Sequence, residues 1–410
     1  MPEQRPSSPE YAPDVPEGFK ATELGPLPED WQVARLGDVM EQRKEFVRID
    51  DSTEYKRCRV QVRGQGVVLR DAVRGDSLRT RMQQVCQKGE FLVAEIDAKV
   101  GGFGVVPREL EGAIVSSHYF LFQIDEASLH SAFLNYFVRL PAFLHQVEAR
   151  GSTNYASVRP SHVLGYAIPL PPPEEQRAIA HVLSTVQRAI EATERVIAAA
   201  RQFKRSLMRH LFTYGPVPVA EAERVPLKET EIGPMPEHWE SVSLGEVLTL
   251  QRGEDLPQQQ RQSGTYPVVG SNGVAGYHNQ RVAAGPGVCV GRSGSVGKVT
   301  YVESSFWPLN TALWVKDFHG NDPRFVYYFL QLVDFARYVA GVSVPTLNRN
   351  LLHPVAVSVP SHEAQEQIAN MILAADKKGQ GEEKRKAALK ELFRTMLHLL
   401  MTGQIRVEGL

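Results

Sequence analysis

The sequence predicts an α+β protein in which two α/β globules follow one another, each succeeded by a long helix. Three observations lead to this prediction. A twenty-residue segment occurs in both halves of the chain, a weaker repeat of strands and turns follows each copy, and each copy ends in a helical stretch too long for one small domain to cover. A length of 410 residues agrees with two or three domains.

The ends and overall composition exclude several classes of protein. Residues 1–19 are rich in Pro, Glu and Ser and are predicted to be a disordered tail. No apolar run is long enough to span a membrane, and no signal peptide is recognisable. The cysteines, which are odd in number, have neither disulfide-framework nor metal-site spacing, so we expect a reducing cytoplasm. The net charge of −1 gives no global sign of nucleic-acid binding.

The repeated segment opens each globule. Residues 20–39 and 228–247 are identical at 11 of 20 positions without a gap. Each copy contains a Gly-Pro-x-Pro sequence, which excludes a helix. The tryptophan that follows it, Trp31 or Trp239, is expected to anchor the start of its domain in the core.

The two globules are assigned to residues 20–170 and 228–360. In each, a strand runs into a turn with spaced glycines, and these glycines are expected to allow positive φ or close backbone approach: Gly101, Gly104, Gly294 and Gly297. Two strand-like runs follow, at 113–124 and 306–315, and then a helix, at 131–149 and 323–339. The segments 151–154 and 341–344 occupy equivalent places after these helices.

Long helices are predicted at 171–215 and 361–404, and a linker at 216–227 connects the first of them to the second globule. Prolines open the first helix, and apolar residues then recur at alternating spacings of four and three, which is typical of a coiled-coil seam. About 38 helical residues would extend about 57 Å, so we expect the two helices to pair, antiparallel, as a stalk. The predicted interface residues are Ile179, Leu183, Val186, Ile190, Ile197, Leu207, Leu211, Ile368, Ile372, Leu389, Phe393 and Met396.

Glycines interrupt the second helix. Gly379 and Gly381 each cost about 1 kcal/mol in a helix interior. We therefore expect a kink, a frayed stretch or an exposed face at this point.

Signatures of catalysis are missing from the sequence. It contains no phosphate-binding loop, GxSxG, HExxH or Cys-x-x-Cys motif, and no Asn/Asp-Pro-Pro-aromatic tetrapeptide of amino-methyltransferases. We expect no catalytic residue, cofactor or metal in this chain.

Local charge predicts DNA contact. Residues 56–88 contain nine Lys or Arg against two acids, and residues 252–298 contain five against two, in strands and loops rich in Gly, Ser, Asn and Gln. A solvated charged face is the alternative interpretation. The candidate DNA-binding residues are Arg63, Arg70, Arg74, Arg79, Arg81, Lys99, Ser117, Asn154, Arg252, Asn272, Tyr277, Arg292, Ser293, Lys298 and Thr311.

Taken in order, these motifs resemble the specificity subunit of type I restriction–modification systems. The resemblance lies in the two Thr-Glu-(Leu/Ile)-Gly-Pro-x-Pro-Glu-x-Trp segments at 22–31 and 230–239, in IPLPPPEEQ at 168–176, and in SNGVAGY and GRSGSVGK at 271–277 and 291–298. It covers residues 20–404. The second helix departs from the pattern at Gly379 and Gly381, and at Ser361-His-Glu-Ala-Gln.

The resemblance implies the following roles. Each globule would be a target-recognition domain for one half of a bipartite site in double-stranded DNA, and the antiparallel coiled coil would set the gap between half-sites. The subunit would recruit two methyltransferase subunits, which carry S-adenosylmethionine and methylate adenine, and can also recruit two translocase–endonuclease subunits that cleave DNA. It would itself be non-catalytic.

Two alternatives remain open at the level of sequence. The chain could be the target-recognition part of another methyltransferase or nuclease assembly, in which case the isolated chain could show activity. It could instead be a coiled-coil scaffold without DNA contact, and then replacing Arg70, Arg74, Arg79 and Arg81 with Ala would leave function intact.

Overall fold

The structure is a computed structural model of the chain, and it describes residues 15–147, 157–340 and 345–407. The chain divides into two compact units. Unit 1 combines the residues up to Ala192 with those from Lys386 onwards, and unit 2 comprises Thr193–Arg385. No helix of the described ranges is long and apolar enough to cross a membrane.

The globular part of unit 1 is built of short strands and helices. The strands are β1 (Phe19–Thr22), β2 (Gly25–Pro28), β3 (Gln32–Arg35), β4 (Met40–Arg43), β5 (Phe46–Arg48), β6 (Glu54–Val60), β7 (Val67–Arg74), β8 (Met82–Val85), β9 (Phe91–Ala94), β10 (Phe103–Val105), β11 (Ile114–Val115), β12 (Tyr119–Ile124) and β13 (Ala167–Leu170). The helices are α1 (Leu36–Val39), α2 (Ser131–Phe137), α3 (Pro141–Leu144) and α4 (Pro160–Leu164).

Two sheets form the body of unit 1. One has the strand order β10-β9-β12-β4 and the other β5-β8-β11-β6-β7, while β1 pairs with β2 and β3 with β13. The first sheet packs on α2, and the aromatic core between them contains Phe91, Phe103 and Phe122 of the sheet and Phe133 and Phe137 of the helix. Strand β7 is an edge strand of the second sheet, so the β6–β7 hairpin ends that sheet.

The long helix α5 (Pro173–Tyr214) begins in unit 1 and ends in unit 2. It starts at the third proline of the 171–173 run, where a proline at the first helical position loses no hydrogen bond, and Gly215 (φ 82°) stops it. The predicted linker at 216–227 contains a 3₁₀ turn at Val219–Arg224.

Unit 2 continues with strands β14 (Leu227–Thr230), β15 (Gly233–Pro236), β16 (Glu240–Ser243), β17 (Thr249–Arg252), β18 (Tyr266–Gly270), β19 (Gly273–His278), β20 (Gly287–Gly291), β21 (Val299–Val302), β22 (Trp307–Pro308), β23 (Ala312–Asp317), β24 (Val339–Ala340), β25 (Thr346–Leu347) and β26 (Ala356–Val359). Its short helices are α6 (Leu244–Val247), α7 (Pro323–Leu330) and α8 (Arg349–Leu352). The second long helix, α9 (His362–Met401), begins in unit 2 and ends in unit 1.

Each unit contains an equivalent four-stranded sheet and two equivalent strand pairs, which we call the frame, and the two units differ in a second sheet. The sheet β21-β20-β23-β17 has the same order as β10-β9-β12-β4, and the pairs β14-β15 and β16-β26 repeat β1-β2 and β3-β13. The second sheet of unit 2, in contrast, is the three-stranded β19-β18-β22. The two tandem α/β units that the sequence predicts are therefore confirmed, and the repeat is closest in the frame.

Both repeated tryptophans are buried, as predicted. Trp31 is 0% exposed and its Nε1 donates to Glu175 Oε2 of α5 at 3.0 Å. Trp239 is 3% exposed and packs beside Gly215. Each tryptophan thus fixes the opening segment of its unit to the core.

The single helices expected at 131–149 and 323–339 are wrong. In unit 1, Pro141 separates α2 from α3, because the residue before a proline is driven out of the helical region, and Leu140 has φ −81° and ψ 148°. In unit 2, α7 ends at Leu330 and Asp334 caps a separate 3₁₀ turn, Phe335–Tyr338, by accepting a hydrogen bond from Ala336 N. The segments 151–154 and 341–344 lie outside the described residues.

The glycine prediction is confirmed at three positions by backbone conformation. Gly101, Gly294 and Gly297 have φ near +80°. Gly104 instead allows close approach, since a Cβ there would lie 2.5 Å from Gly66 Cα.

Helix α9 passes through Gly379 and Gly381 without a break. The expected frayed stretch is therefore wrong. Gly381 is exposed and Gly379 is half-buried, and a Cβ would meet open space at both, which agrees with the alternative of an exposed face.

Candidate nucleic-acid interface

The β6–β7 hairpin of unit 1 presents four cations to solvent. Lys56 and Arg59 lie on β6, Arg70 and Arg74 lie on β7, and all four are exposed. Apolar residues of the same hairpin, in contrast, pack in the core. We call these four exposed cations of the hairpin the basic face.

The arginines of this hairpin differ in how closely they pair with acidic neighbours. Arg57 pairs with Asp71 at 2.6 Å, and its hydrogen bond holds the pKa of that carboxyl below its usual range. Arg70 lies 3.8 Å from Asp71 and Arg74 lies 3.5 Å from Asp76, each with more than half of its side chain exposed. These two arginines are therefore free to turn toward an anion.

Two further candidates of this segment differ in their surroundings. Arg81 is bound to Asp51 at 2.5 Å and to the Gly75 carbonyl at 2.9 Å, so it stabilises the loop before β6. Arg79 is exposed, and the structure gives it no ion pair among the described residues. Of the two, Arg79 is the better placed to bind a phosphate.

The turn that contains Arg63 packs against the turn that contains Lys99. Arg63 N donates to Val100 O at 2.6 Å, and Gly64 N donates to Gly101 O at 2.8 Å. Arg63 itself has φ +61°. A Cβ at Gly101 would lie 2.7 Å from Arg63 Cα, so glycine is required there. This contact brings two exposed cations, predicted separately, onto neighbouring turns.

Tyr119 links these turns to the basic face. Burial raises the pKa of its phenol, as do Cys58 and Asp97, while nearby Arg70 and Arg59 act in the opposite direction. Ser117 lies on the exposed turn just before Tyr119, beside His118, which bonds Glu95 at 2.9 Å. Asn154 lies outside the described residues.

In unit 2, Arg292 is the centre of the predicted residues. Arg292 N and Ser293 N both donate to Thr311 O, at 2.9 and 3.2 Å, and the Arg292 guanidinium donates to Asn310 O at 3.2 Å. Burial and the positive charge of Arg252 lower the pKa of Arg292. Two cations close enough to affect each other create a strong local preference for an anion.

Lys298 and Asn272 extend this cluster. Lys298 Nζ donates to Asn272 Oδ1 at 2.7 Å and to its carbonyl at 2.9 Å. Ser271 N lies 3.4 Å from Thr311 Oγ1, which connects the β18–β19 turn to the start of β23. The structure therefore brings together six of the predicted residues, Arg252, Asn272, Arg292, Ser293, Lys298 and Thr311, and we call them the arginine cluster.

Tyr277 lies apart from the arginine cluster. It pairs with Pro267 at the end of β19 remote from Asn272 and is 58% exposed. An exposed aromatic ring on a hairpin can stack on a base or a sugar. The structure does not join Tyr277 to the other candidates.

The sequence-based list omits Lys56 and Arg59 of the basic face. Their signal was their place among the nine Lys and Arg of residues 56–88. The register shift between Arg57 and Cys58 leaves Arg70 of β7 as the unpaired residue of a bulge. Within the described ranges, no group of three or more His, Cys, Asp or Glu side chains is arranged to hold a metal ion.

The predicted helix residues are buried or half-buried in both units. In unit 1, Ile179 and Leu183 are fully buried, and Phe393 and Met396 pack against the same core; Val186, Ile190 and Leu389 are half-buried. In unit 2, Ile197, Leu211, Ile368 and Ile372 are buried and Leu207 packs beside them. Two ion pairs join α5 to α9 within unit 2: Arg201 to Glu383 at 2.6 Å, and Lys204 to Asp376 at 2.7 Å.

Comparison with known proteins agrees with this organisation. Residues 28–201 and 236–391 match the family model of the type I restriction modification DNA specificity domain. The putative type I restriction enzyme MjaX specificity subunit of Methanocaldococcus jannaschii is 24% identical over 427 aligned residues, which cover 96% of this chain and 97% of that protein.

Solved structures show the same fold. The type I restriction–modification system S subunit from M. genitalium is 17% identical, with a TM-score of 0.61 over 90% of this chain and 96% of that one. A chain from the study of complex assembly and conformational transition of the type I R-M system is 20% identical, with a TM-score of 0.53 over 92% and 99%. Because the family model matches most of the chain, in two copies, the chain belongs to the type I restriction–modification DNA specificity family and is a non-catalytic specificity subunit.

Proposed function

We propose that each unit reads one half of a bipartite site in double-stranded DNA, unit 1 through the basic face and the Arg63 and Lys99 turns, and unit 2 through the arginine cluster. One observation carries this proposal. The frame is the same in both units, whereas the second sheets, which carry the basic face in unit 1 and the Asn272 turn in unit 2, differ in strand number and order. The other candidate residues lie at turns and strand ends of the frame next to these second sheets. A protein that reads two different half-sites needs this combination of constant support and variable surface.

The chemistry of the candidate residues suits DNA. Exposed lysines and arginines bind phosphates, which position the protein, while Arg and Asn can bond base edges in the major groove. Arg292, Asn272 and Tyr277 are the residues we assign to base contact, because they combine hydrogen-bonding or stacking groups with glycine-rich turns. The basic face is assigned to phosphates.

We further propose that α5 and α9 pair as an antiparallel coiled coil that sets the distance between half-sites. The ion pairs Arg201–Glu383 and Lys204–Asp376 support this, because a higher residue number on α5 meets a lower one on α9. The burial of the predicted seam residues supports it as well. A helix of 42 residues rises about 63 Å.

The partners that follow from this role are two methyltransferase subunits that methylate adenine and two translocase–endonuclease subunits. We place the assembly in the cytoplasm. The odd number of cysteines, without disulfide-framework spacing, supports a reducing compartment.

The test is reconstitution with the methyltransferase subunit. The complex should shift a duplex that carries one bipartite site and methylate adenine only there. Methylation at random positions, or a complex that methylates without this chain, would reject the proposal.

A further inference from the structure

Unit 2 contains a groove of about 470 Å³ that the DNA-facing residues do not use. It lies between the last turns of α5 and the β14–β15 hairpin. Its apolar side chains are Met208, Phe212 and Met235, which are largely buried, and Ile232 and Leu332, which are half-buried. Such a surface suits apolar side chains of another protein.

Two arginines line the same groove. Arg205 and Arg209 are exposed and lie one helical turn apart on α5, which separates their Cα atoms by about 6 Å along the helix axis. Among the described residues the structure gives neither of them an acidic partner. On the same helix Arg201 and Lys204 are both paired with carboxylates of α9. The groove therefore combines an apolar floor with two available positive charges.

Comparison with unit 1 shows that these arginines are a departure from the repeat. In the alignment that equates His210 with His398, Arg205 corresponds to Phe393 and Arg209 to Leu397. In unit 1, Phe393 and Leu397 pack against the core together with Leu24 of the equivalent hairpin. Unit 2 thus replaces two packed apolar side chains by two exposed cations at this place.

We propose that this groove binds an amphipathic segment of a partner protein, in one copy per chain, whose two carboxylates pair with Arg205 and Arg209. An amphipathic helix that docks in a groove places its apolar residues on one face and can present acids one turn apart. Carboxylates at that spacing match the two guanidinium groups. The apolar floor disfavours DNA as the occupant, since duplex DNA offers a phosphate surface.

The stoichiometry follows from the asymmetry of the repeat. Because the corresponding positions of unit 1 are Phe393 and Leu397, the charge-paired site exists once in the chain. This inference goes beyond the proposed reading of DNA and does not depend on it.

A charge-swap experiment on the full chain tests the proposal. The probe is a designed helical peptide of about 15 residues with leucines on one face and two Glu at i and i+4; a second peptide carries two Lys instead. We expect the Glu peptide to saturate at one per chain. The R205E/R209E variant should bind it at least tenfold more weakly and should bind the Lys peptide better than the native chain does.

Matched variants separate this result from unspecific charge effects. Arg195 and Arg224 are exposed residues of unit 2 outside the groove, so R195E/R224E should bind the Glu peptide as the native chain does. R205K/R209K should retain most of the affinity. No saturable binding of the Glu peptide, equal affinity for R205E/R209E, or two peptides per chain would overturn the proposal. Loss of duplex-DNA affinity in R205E/R209E without an effect on peptide would also overturn it.

Discussion

Gln176 and Gln365 perform the same task in the two units. Each is buried near the start of a long helix, and each accepts a hydrogen bond from the backbone N–H before a short helix, that of His130 at 2.8 Å or Asp322 at 3.0 Å. Each also donates to the proline carbonyl five residues earlier, at 3.0 and 3.1 Å. The two glutamines therefore fix each long helix to the globule that precedes it.

Replacing Gln176 with Leu should destabilise the protein. The change leaves the His130 N–H and the carbonyls of Ser128 and Pro171 without their partner, at a cost of about 2–4 kcal/mol. Denaturant unfolding followed by circular dichroism measures the loss. The control is Gln202→Leu on the exposed side of α5, and a Gln176→Leu variant as stable as this control would contradict the account.

The basic face should determine the salt dependence of DNA binding. If Lys56, Arg59 and Arg70 each neutralise one phosphate, replacing all three with Ala should reduce the slope of log K against log salt by about 2.7. The control variant removes three exposed cations elsewhere in unit 1, Lys44, Arg108 and Arg177. Equal slopes for the native and test proteins would show that the basic face is only a solvated surface.

Arg292 and Lys298 should affect specificity differently. Arg292→Ala should cost about 1–3 kcal/mol at the cognate site and relax the base preference at one position of one half-site. Lys298→Ala should weaken all duplexes about evenly. Binding to a library of singly mutated duplexes distinguishes the two, with Arg281→Ala as the control. Relaxation in both half-sites after Arg292→Ala would contradict the assignment of one half-site to unit 2.

Lengthening both long helices should lengthen the spacer between half-sites. Four residues inserted after Ala192 in α5 and after Arg385 in α9 add a rise of about 6 Å, or about two base pairs. The spacer is read from the methylated sequence. The same insertion after Ala220, in the linker, should leave the spacer unchanged. An unchanged spacer length after the helix insertions would show that the coiled coil does not set the distance between half-sites.

The parts of the fold that depend on local sequence were predictable. The spacing of Ile179 and Leu183 and the prolines before them predicted α5 to within two residues, because periodicity and capping act within one or two turns. The repeated Gly-Pro-x-Pro-Glu-x-Trp likewise predicted buried tryptophans. The break at Pro141 was missed although its signal, a proline inside an apolar run, is local as well.

The sequence predicted most of the individual candidate residues, but it did not predict which of them lie together on one surface. The basic face depends on the pairing of β6 with β7 and on the bulge that leaves Arg70 of β7 without a partner residue. The arginine cluster unites the turn after β18, the turn after β20 and the residue before β23. Such contacts are set by strand pairing between residues far apart in sequence, which composition and periodicity do not encode.

The most direct test of the account is single-molecule sequencing of methylated adenines in cells that carry the complete system and in cells where residues 248–317 are replaced by the corresponding segment of another specificity subunit. We predict one bipartite methylated motif for the native chain, and a motif in which only one half changes for the hybrid, with the spacer retained. A change in both halves, or methylation without a bipartite motif, would contradict the central claim that each unit reads its own half-site.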